Sequence, residues 1–136
     1  MRCSGHTLDN QSRHVPYVGD FRQLTVWKAA HALAMEVHRC TGAFPPVERY
    51  GLAAQMRRAA VSVVSNIAEG CGRQSDRELA HFLRIARGSV REIECQLLLS
   101  RDFGYITEAT WVPLDVAAQE VSKMLSGFVS RVRAKS

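Results

Sequence analysis

No stretch of this chain stays apolar for anything like the ~20 residues that a membrane-spanning helix needs. The longest near-apolar run, AAVSVVSNIA at 59–68, is already broken by serines and an asparagine. No transmembrane segment is expected. The opening segment, MRCSGHTLDNQSRHVPYVG, lacks the apolar core of a secretory leader, and the expected location is cytoplasmic. Cysteine is sparse and poorly spaced for chemistry. Cys3, Cys40, Cys71 and Cys95 form no CxxC pair, so neither a disulfide framework nor a zinc site is expected. The four read as free thiols, with Cys40 as core filler.

Aromatic residues are only 7% of the chain, and the basic ridge on the third helix, described below, lacks the interleaved aromatics that a base-stacking platform requires. Lysine is scarce as well: three of the eighteen basic residues are Lys and the rest are Arg, set against thirteen acidic residues for a net charge of +5. That excess permits a polyanionic partner without demanding one. Catalytic signatures are missing in turn. The chain has no Gly-rich phosphate loop and no nucleophile motif. His31 and His38 lack the ExxH pairs and carboxylates of a di-metal bundle site, and read instead as surface or interface histidines. Helical ribonucleases of the HEPN type place an Arg four to six residues before a His, whereas Arg77 and His81 here have three residues between them and Arg73 and His81 have seven. No catalytic residue, cofactor or metal is expected, and the chain is not expected to be an enzyme.

What the sequence does contain is helical periodicity. Val26, Ala30, Leu33, Val37 and Cys40 recur at spacings of 4, 3, 4 and 3, one seam of an amphipathic helix. Gly42 and the Pro45-Pro46 pair should end it. A second helix is expected from near Glu48, with the seam Leu52, Met56, Ala59, Val63 and Ile67. A third carries Leu79, Leu83, Ala86, Val90, Ile93, Leu97 and Ser100, and a fourth Leu114, Ala118, Val121, Leu125, Phe128 and Val132. Pro113 suits the first turn of that last helix. Gly70 or Gly72 should close the second helix in a left-handed conformation. Ser75 and Glu78 read as a capping box that opens the third. Four such helices with short connections predict an all-α, antiparallel up-down-up-down four-helix bundle over 20–136, preceded by a loose tail over 1–19.

Two features lie off the core seams. The second helix carries Val61 and Val64 away from its seam, with Ala53, Ala54 and Ala60 widening the apolar arc, which points to a subunit interface. A polar strip of Arg58, Ser62, Ser65 and Glu69, flanked by Asn66, runs between the arcs. It reads either as a solvated edge or as a hydrogen-bonded network at a helix or subunit contact. On the third helix Arg77, His81, Arg84, Arg87 and Arg91 fall within about 120° of one another, opposite the core seam. This basic ridge suits phosphate, which Arg grips in a planar, bidentate way. It also reads as a solvated face balanced by Glu78, Glu92 and Glu94. Arg57, Arg58 and Arg73 are the next candidates for a nucleic-acid contact.

Taken together, several stretches carry a resemblance. They are Phe21, Leu24 and Trp27; Phe44-Pro45 with Glu48 and Tyr50-Gly51-Leu52; Gln55 with Arg57-Arg58-Ala59 and Ser62; SNIAEG at 65–70, followed by Gly72-Arg73; FLRIARGS at 82–89 with Glu92 and Glu94; and Gly104-Tyr105. Over about 20–133 the chain resembles the four-helix-bundle proteins encoded in 23S ribosomal RNA intervening sequences. That family is related to the accessory variability protein of diversity-generating retroelements. The resemblance implies a homopentameric ring of bundles and, from the retroelement relatives, binding of nucleic acid and of a reverse transcriptase. Expected partners are therefore further copies of the chain, RNA or DNA, or a protein. The functional expectation is a non-enzymatic bundle that binds nucleic acid through phosphates; the alternative is a protein-protein adaptor. Asn66 and Glu69 are expected to satisfy polar groups where the second helix meets a neighbour.

Overall fold

The apolar seams fold into four helices, α1 (Thr25–Thr41), α2 (Leu52–Cys71), α3 (Asp76–Asp102) and α4 (Glu108–Lys135), with 3-10 turns at Phe21–Gln23 and Pro46–Glu48. The structure, a computed structural model, describes residues 19–135, and none of these forms a strand. The tail expected over 1–19 lies, apart from Gly19, outside the described residues. Cross-helix contacts give the direction of each neighbour. Met56 Sδ meets the Ser100 hydroxyl and Ser62 meets Ser89, while Gly70 faces Leu79 and Phe82. Rising numbers on α2 thus meet falling numbers on α3. In the same sense Arg87 of α3 reaches Ser126 and Arg101 lies over Trp111 of α4.

The seams of α2, α3 and α4 are buried at every expected position, from Leu52 to Val132. On α1 the seam ends differently. Thr41 is buried in place of Cys40, which is only partly covered, because the Thr41 hydroxyl bonds back to the Val37 carbonyl at 2.8 Å and so carries its own partner inside. Burial pushes the Cys40 thiol above its ordinary value. Ala53 and Ala60, expected on the outer arc of α2, are core residues because α2 packs on both α1 and α3.

Three expectations about helix ends are corrected. First, α2 begins at Leu52 and not near Glu48; Glu48 instead caps it, its carboxylate accepting from Leu52 N at 2.9 Å. Second, neither Gly70 nor Gly72 is left-handed. The last turn of α2 tightens through Gly72 N to Glu69 O and Arg73 N to Gly70 O, each 3.1 Å, and Gly72 sits at φ −88°. The glycine that closes a helix in the left-handed region is Gly104, at φ +82°. There Tyr105 N bonds Ser100 O at 2.8 Å and Gly104 N bonds Arg101 O at 2.9 Å, a Schellman closure of α3. Third, Pro113 is not in the first turn of α4: the helix starts earlier, at Glu108, after a Thr107 cap whose hydroxyl accepts from Thr110 N. Pro113 is inside the helix and leaves the Ala109 carbonyl without its helical donor. The Ser75 cap does open α3, accepting from Glu78 N at 3.2 Å; no reciprocal bond from the Glu78 side chain occurs among the described residues.

The elbow between α1 and α2 is tied to the far end of α3 by one carboxylate. Besides capping Leu52, Glu48 accepts from the Tyr105 hydroxyl at 2.7 Å, and Tyr105 packs on Phe44 and Phe103. The Leu52 amide first, and then the Tyr105 hydroxyl, hold the Glu48 carboxyl below its ordinary 4.5. The same bond to Glu48 raises the Tyr105 phenol above 10. A carboxyl with a lowered folded value contributes stability that is present above its unfolded value and lost as pH falls through the folded one. Acid thermal melts of wild type should therefore lose a component below about pH 4.5 that Glu48→Gln lacks. Parallel acid profiles for the two proteins would remove the clamp from this account.

Candidate nucleic-acid interface

The polar strip divides into two parts with different fates. Asn66 is half-buried, and its amide donates to the Ser62 carbonyl at 2.8 Å and to the Ser62 hydroxyl at 3.1 Å. Ser62 in turn shares a 2.8 Å hydrogen bond with Ser89 of α3. Asn66, Ser62 and Ser89 thus form a chain of hydrogen bonds across the α2–α3 contact, where small side chains let the helices approach. Glu69 does not join it. Its carboxylate is exposed and pairs with Arg73 at 2.6 Å, one turn on. Ser65 is exposed. Arg58 and Val61 border a shallow cleft of about 460 Å³ with Ser62, Ser89 and Glu92. Val61 is 58% exposed, whereas Val64 is partly buried against the core.

The arginines are also sorted. Arg77, Arg84 and Arg91 stand exposed along α3, with His81 exposed between them. Arg77 and Arg84 make no ion pair among the described residues, and Arg91 has one long contact, 3.7 Å to Glu94. Arg87 does not belong to this outer row. It is half-buried and donates to Ser126 of α4 at 3.3 Å. Arg73 pairs with Glu69 and lies 4.7 Å over the Phe82 ring, so it braces the α2–α3 turn. Arg57 is drawn into the elbow, donating to the Thr41 hydroxyl at 2.8 Å and the His38 carbonyl at 3.0 Å. His31 stacks on Trp27 at the surface. Among the described residues no three His, Cys, Asp or Glu side chains cluster so as to hold a metal ion, and no helix is long and apolar enough to cross a membrane.

Sequence reasoning missed Ser89 as the partner of Ser62, although a serine on α3 one residue before the core position Val90 was the available signal. It also missed Arg101, which lies 4.4 Å over the Trp111 ring and pairs with Asp102; nothing in the spacing of residues 101 and 111 marks that contact. The split of the strip has a measurable consequence. Asn66→Leu removes the amide donor to the Ser62 carbonyl and hydroxyl and puts an apolar side chain beside the Ser62–Ser89 pair, which should cost about 1–3 kcal/mol in a denaturant melt. Glu69→Leu removes an exposed ion pair and should cost well under about 1 kcal/mol. Equal losses from the two changes would mean that Asn66 is as dispensable as a surface residue.

A solved protein of unknown function from the S23 ribosomal protein family of Bacteroides thetaiotaomicron VPI-5482 superposes with a TM-score of 0.73 at 22% identity, over 77% of this chain and 98% of that one. At that identity the likeness shows the fold alone. No curated protein matches the chain. The model of the 23S rRNA-intervening sequence protein family matches residues 22–127, a span that runs from the turn before α1 to the last third of α4 and takes in both the Asn66 network and the row of exposed arginines: the chain belongs to the 23S rRNA-intervening sequence protein family.

Proposed function

We propose that the protein is a non-enzymatic, oligomeric bundle that binds nucleic acid through its phosphates, with the outer face of α3 as the contact surface. One observation carries the reading. Arg77, Arg84 and Arg91 are exposed on that face, and the only carboxylate in ion-pair range of any of them among the described residues is Glu94, 3.7 Å from Arg91. Guanidinium groups left without a counter-ion are available for bidentate contact with phosphate, which positions a nucleic acid without reading its bases. The family takes its name from 23S rRNA intervening sequences, which agrees with a nucleic-acid setting. A ring of copies, five in the assembly that the resemblance implies, would repeat the row and add weak contacts through multivalency. A second reading, a protein-protein adaptor such as an accessory subunit of a reverse transcriptase, is favoured by exposed apolar side chains outside that row, Val61 at 58% and Tyr50 at 85%.

Two experiments test this. Replacing Arg84 and Arg91 together by Gln should weaken binding to RNA and DNA about equally across sequences. It should also flatten the salt dependence by about 1.4–1.8 in log–log slope, the release expected for two phosphates. Wild-type protein that binds neither RNA nor DNA at low salt would hand the case to the adaptor reading. Assembly is tested separately by light scattering. Wild type should exceed the mass of one chain several-fold, and Val61→Glu should return it to a monomer with its helical circular dichroism intact, because the charge enters a subunit contact and not the bundle core. A monomeric wild type at micromolar concentration contradicts the ring.

A further inference from the structure

At the α1–α2 elbow the chain encloses a cleft of about 400 Å³ that none of the readings above uses. One wall is the turn after α1, with Phe44, Pro45 and Pro46; the other is Arg49, Ala53 and Arg57. Two guanidinium groups line it and no acidic side chain does. The nearest carboxylate in sequence, Glu48, is committed elsewhere, to Leu52 N and the Tyr105 hydroxyl. Arg57 is held in place by uncharged acceptors only, the Thr41 hydroxyl and the His38 carbonyl. These fix its plane, leave its charge uncompensated and keep one terminal nitrogen free of hydrogen bonds among the described residues. Arg49 is exposed, has no ion pair among the described residues, and lies 5.6 Å from the ring of its neighbour Tyr50.

Ala53 and Arg57 lie one turn apart on α2 and Arg49 stands in the turn just before it, so two cations and a methyl group line the same cleft. The prolines stiffen the facing wall. Two like charges on a concave, partly apolar surface focus a positive potential into the space between them. The group that best answers two guanidinium forks is a phosphate, with its several acceptor oxygens. The volume exceeds that of a bare phosphate and leaves room for what the phosphate is attached to. We propose that the elbow cleft is a phosphate-binding pocket, taking the phosphoryl group of a small phosphomonoester or the terminal phosphate of an oligonucleotide. The pocket contains no α3 residue, so it stands or falls apart from the α3 row.

The test follows the Arg49 and Arg57 side-chain Nε–H resonances by NMR while inorganic phosphate is added to the full chain, with chloride at matched ionic strength as control. Both resonances should move saturably with phosphate and not with chloride. Arg49→Gln, an exposed change that leaves the Arg57 anchor in place, should weaken the interaction about tenfold or more. Arg84→Gln with Arg91→Gln should leave it unchanged. Competition then separates the sources. A 5′-phosphorylated oligoribonucleotide that displaces phosphate better than its 5′-hydroxyl twin assigns the pocket to a nucleic-acid end; equal displacement, with a small phosphomonoester competing better than either, assigns it to the small ligand. Phosphate and chloride giving the same unsaturated drift overturns the pocket, and so does a phosphate affinity that Arg49→Gln leaves intact.

Discussion

The α2–α3 hairpin rests on one close approach. A Cβ placed on Gly70 would stand 3.0 Å from Phe82 Cβ, 3.1 Å from Leu79 Cδ1 and 3.3 Å from the Leu79 carbonyl oxygen, so any side chain there would push the two helices apart by a few tenths of an ångström. That contact sets the register of everything farther along the pair. With Gly70 against the first turns of α3, Ser62 arrives opposite Ser89 and Met56 opposite Ser100. Apolar seams alone tolerate a slip by a turn, because one buried leucine or valine is energetically much like the next. A glycine that fits one place and a hydroxyl pair that matches one partner do not tolerate it. The polar network is small, yet a slip would leave its half-buried hydroxyls facing apolar neighbours without partners, a cost that one more methyl contact does not repay.

Once the hairpin is set, the arginines are divided between structure and solvent by where the helices pass. Arg87 faces α4 and reaches Ser126; Arg73 lies over Phe82; Arg101 covers Trp111; Arg57 closes the elbow against α1. Each lays its aliphatic stem or its guanidinium plane on a neighbouring element, which arginine does with less desolvation than lysine. This use of planar cations as joints fits a chain with fifteen arginines and three lysines. The remainder on α3, Arg77, Arg84 and Arg91, gain no such contact because, among the described residues, no other helix covers the face they occupy.

Most of the architecture was legible because it depends on period. The seams of α2, α3 and α4 could be read residue by residue, since a core position on a long helix is fixed by spacing and apolarity. What escaped was everything that depends on three-dimensional proximity. Gly70 looked like a helix stop, when its role is to allow contact with residues nine and twelve positions away. Glu48 looked like the start of a helix, when it is the cap of the next one and the partner of Tyr105. Pro113 looked like a first-turn residue because proline normally is one; here the Thr107 cap begins α4 earlier and the helix carries the missing bond. The strip was seen as one object by its spacing, and the structure separates Asn66 from Glu69 because one bonds Ser62, which reaches α3, and the other stands exposed beside Arg73. On α3, Arg87 shares the wheel sector of its neighbours and differs only in having α4 beside it.

The two cationic surfaces also differ in the kind of binding that physics allows them. Along α3, Arg77, Arg84 and Arg91 recur every seven residues, about 10.5 Å apart on a straight helix. That is close to the ~8 Å over which physiological salt screens exposed charges. Each arginine on this convex face therefore acts almost alone, and a single bundle offers a nucleic acid only a few weak, additive, salt-sensitive contacts. Useful affinity from such a surface has to come from repetition of the bundle, which ties nucleic-acid binding to assembly. The elbow is the opposite case. Its two guanidinium groups share one concave space beside apolar walls, where screening is weaker and a single phosphate can meet both. A site of that form needs no neighbouring subunit, so a monomer keeps it while losing the avidity of the α3 row.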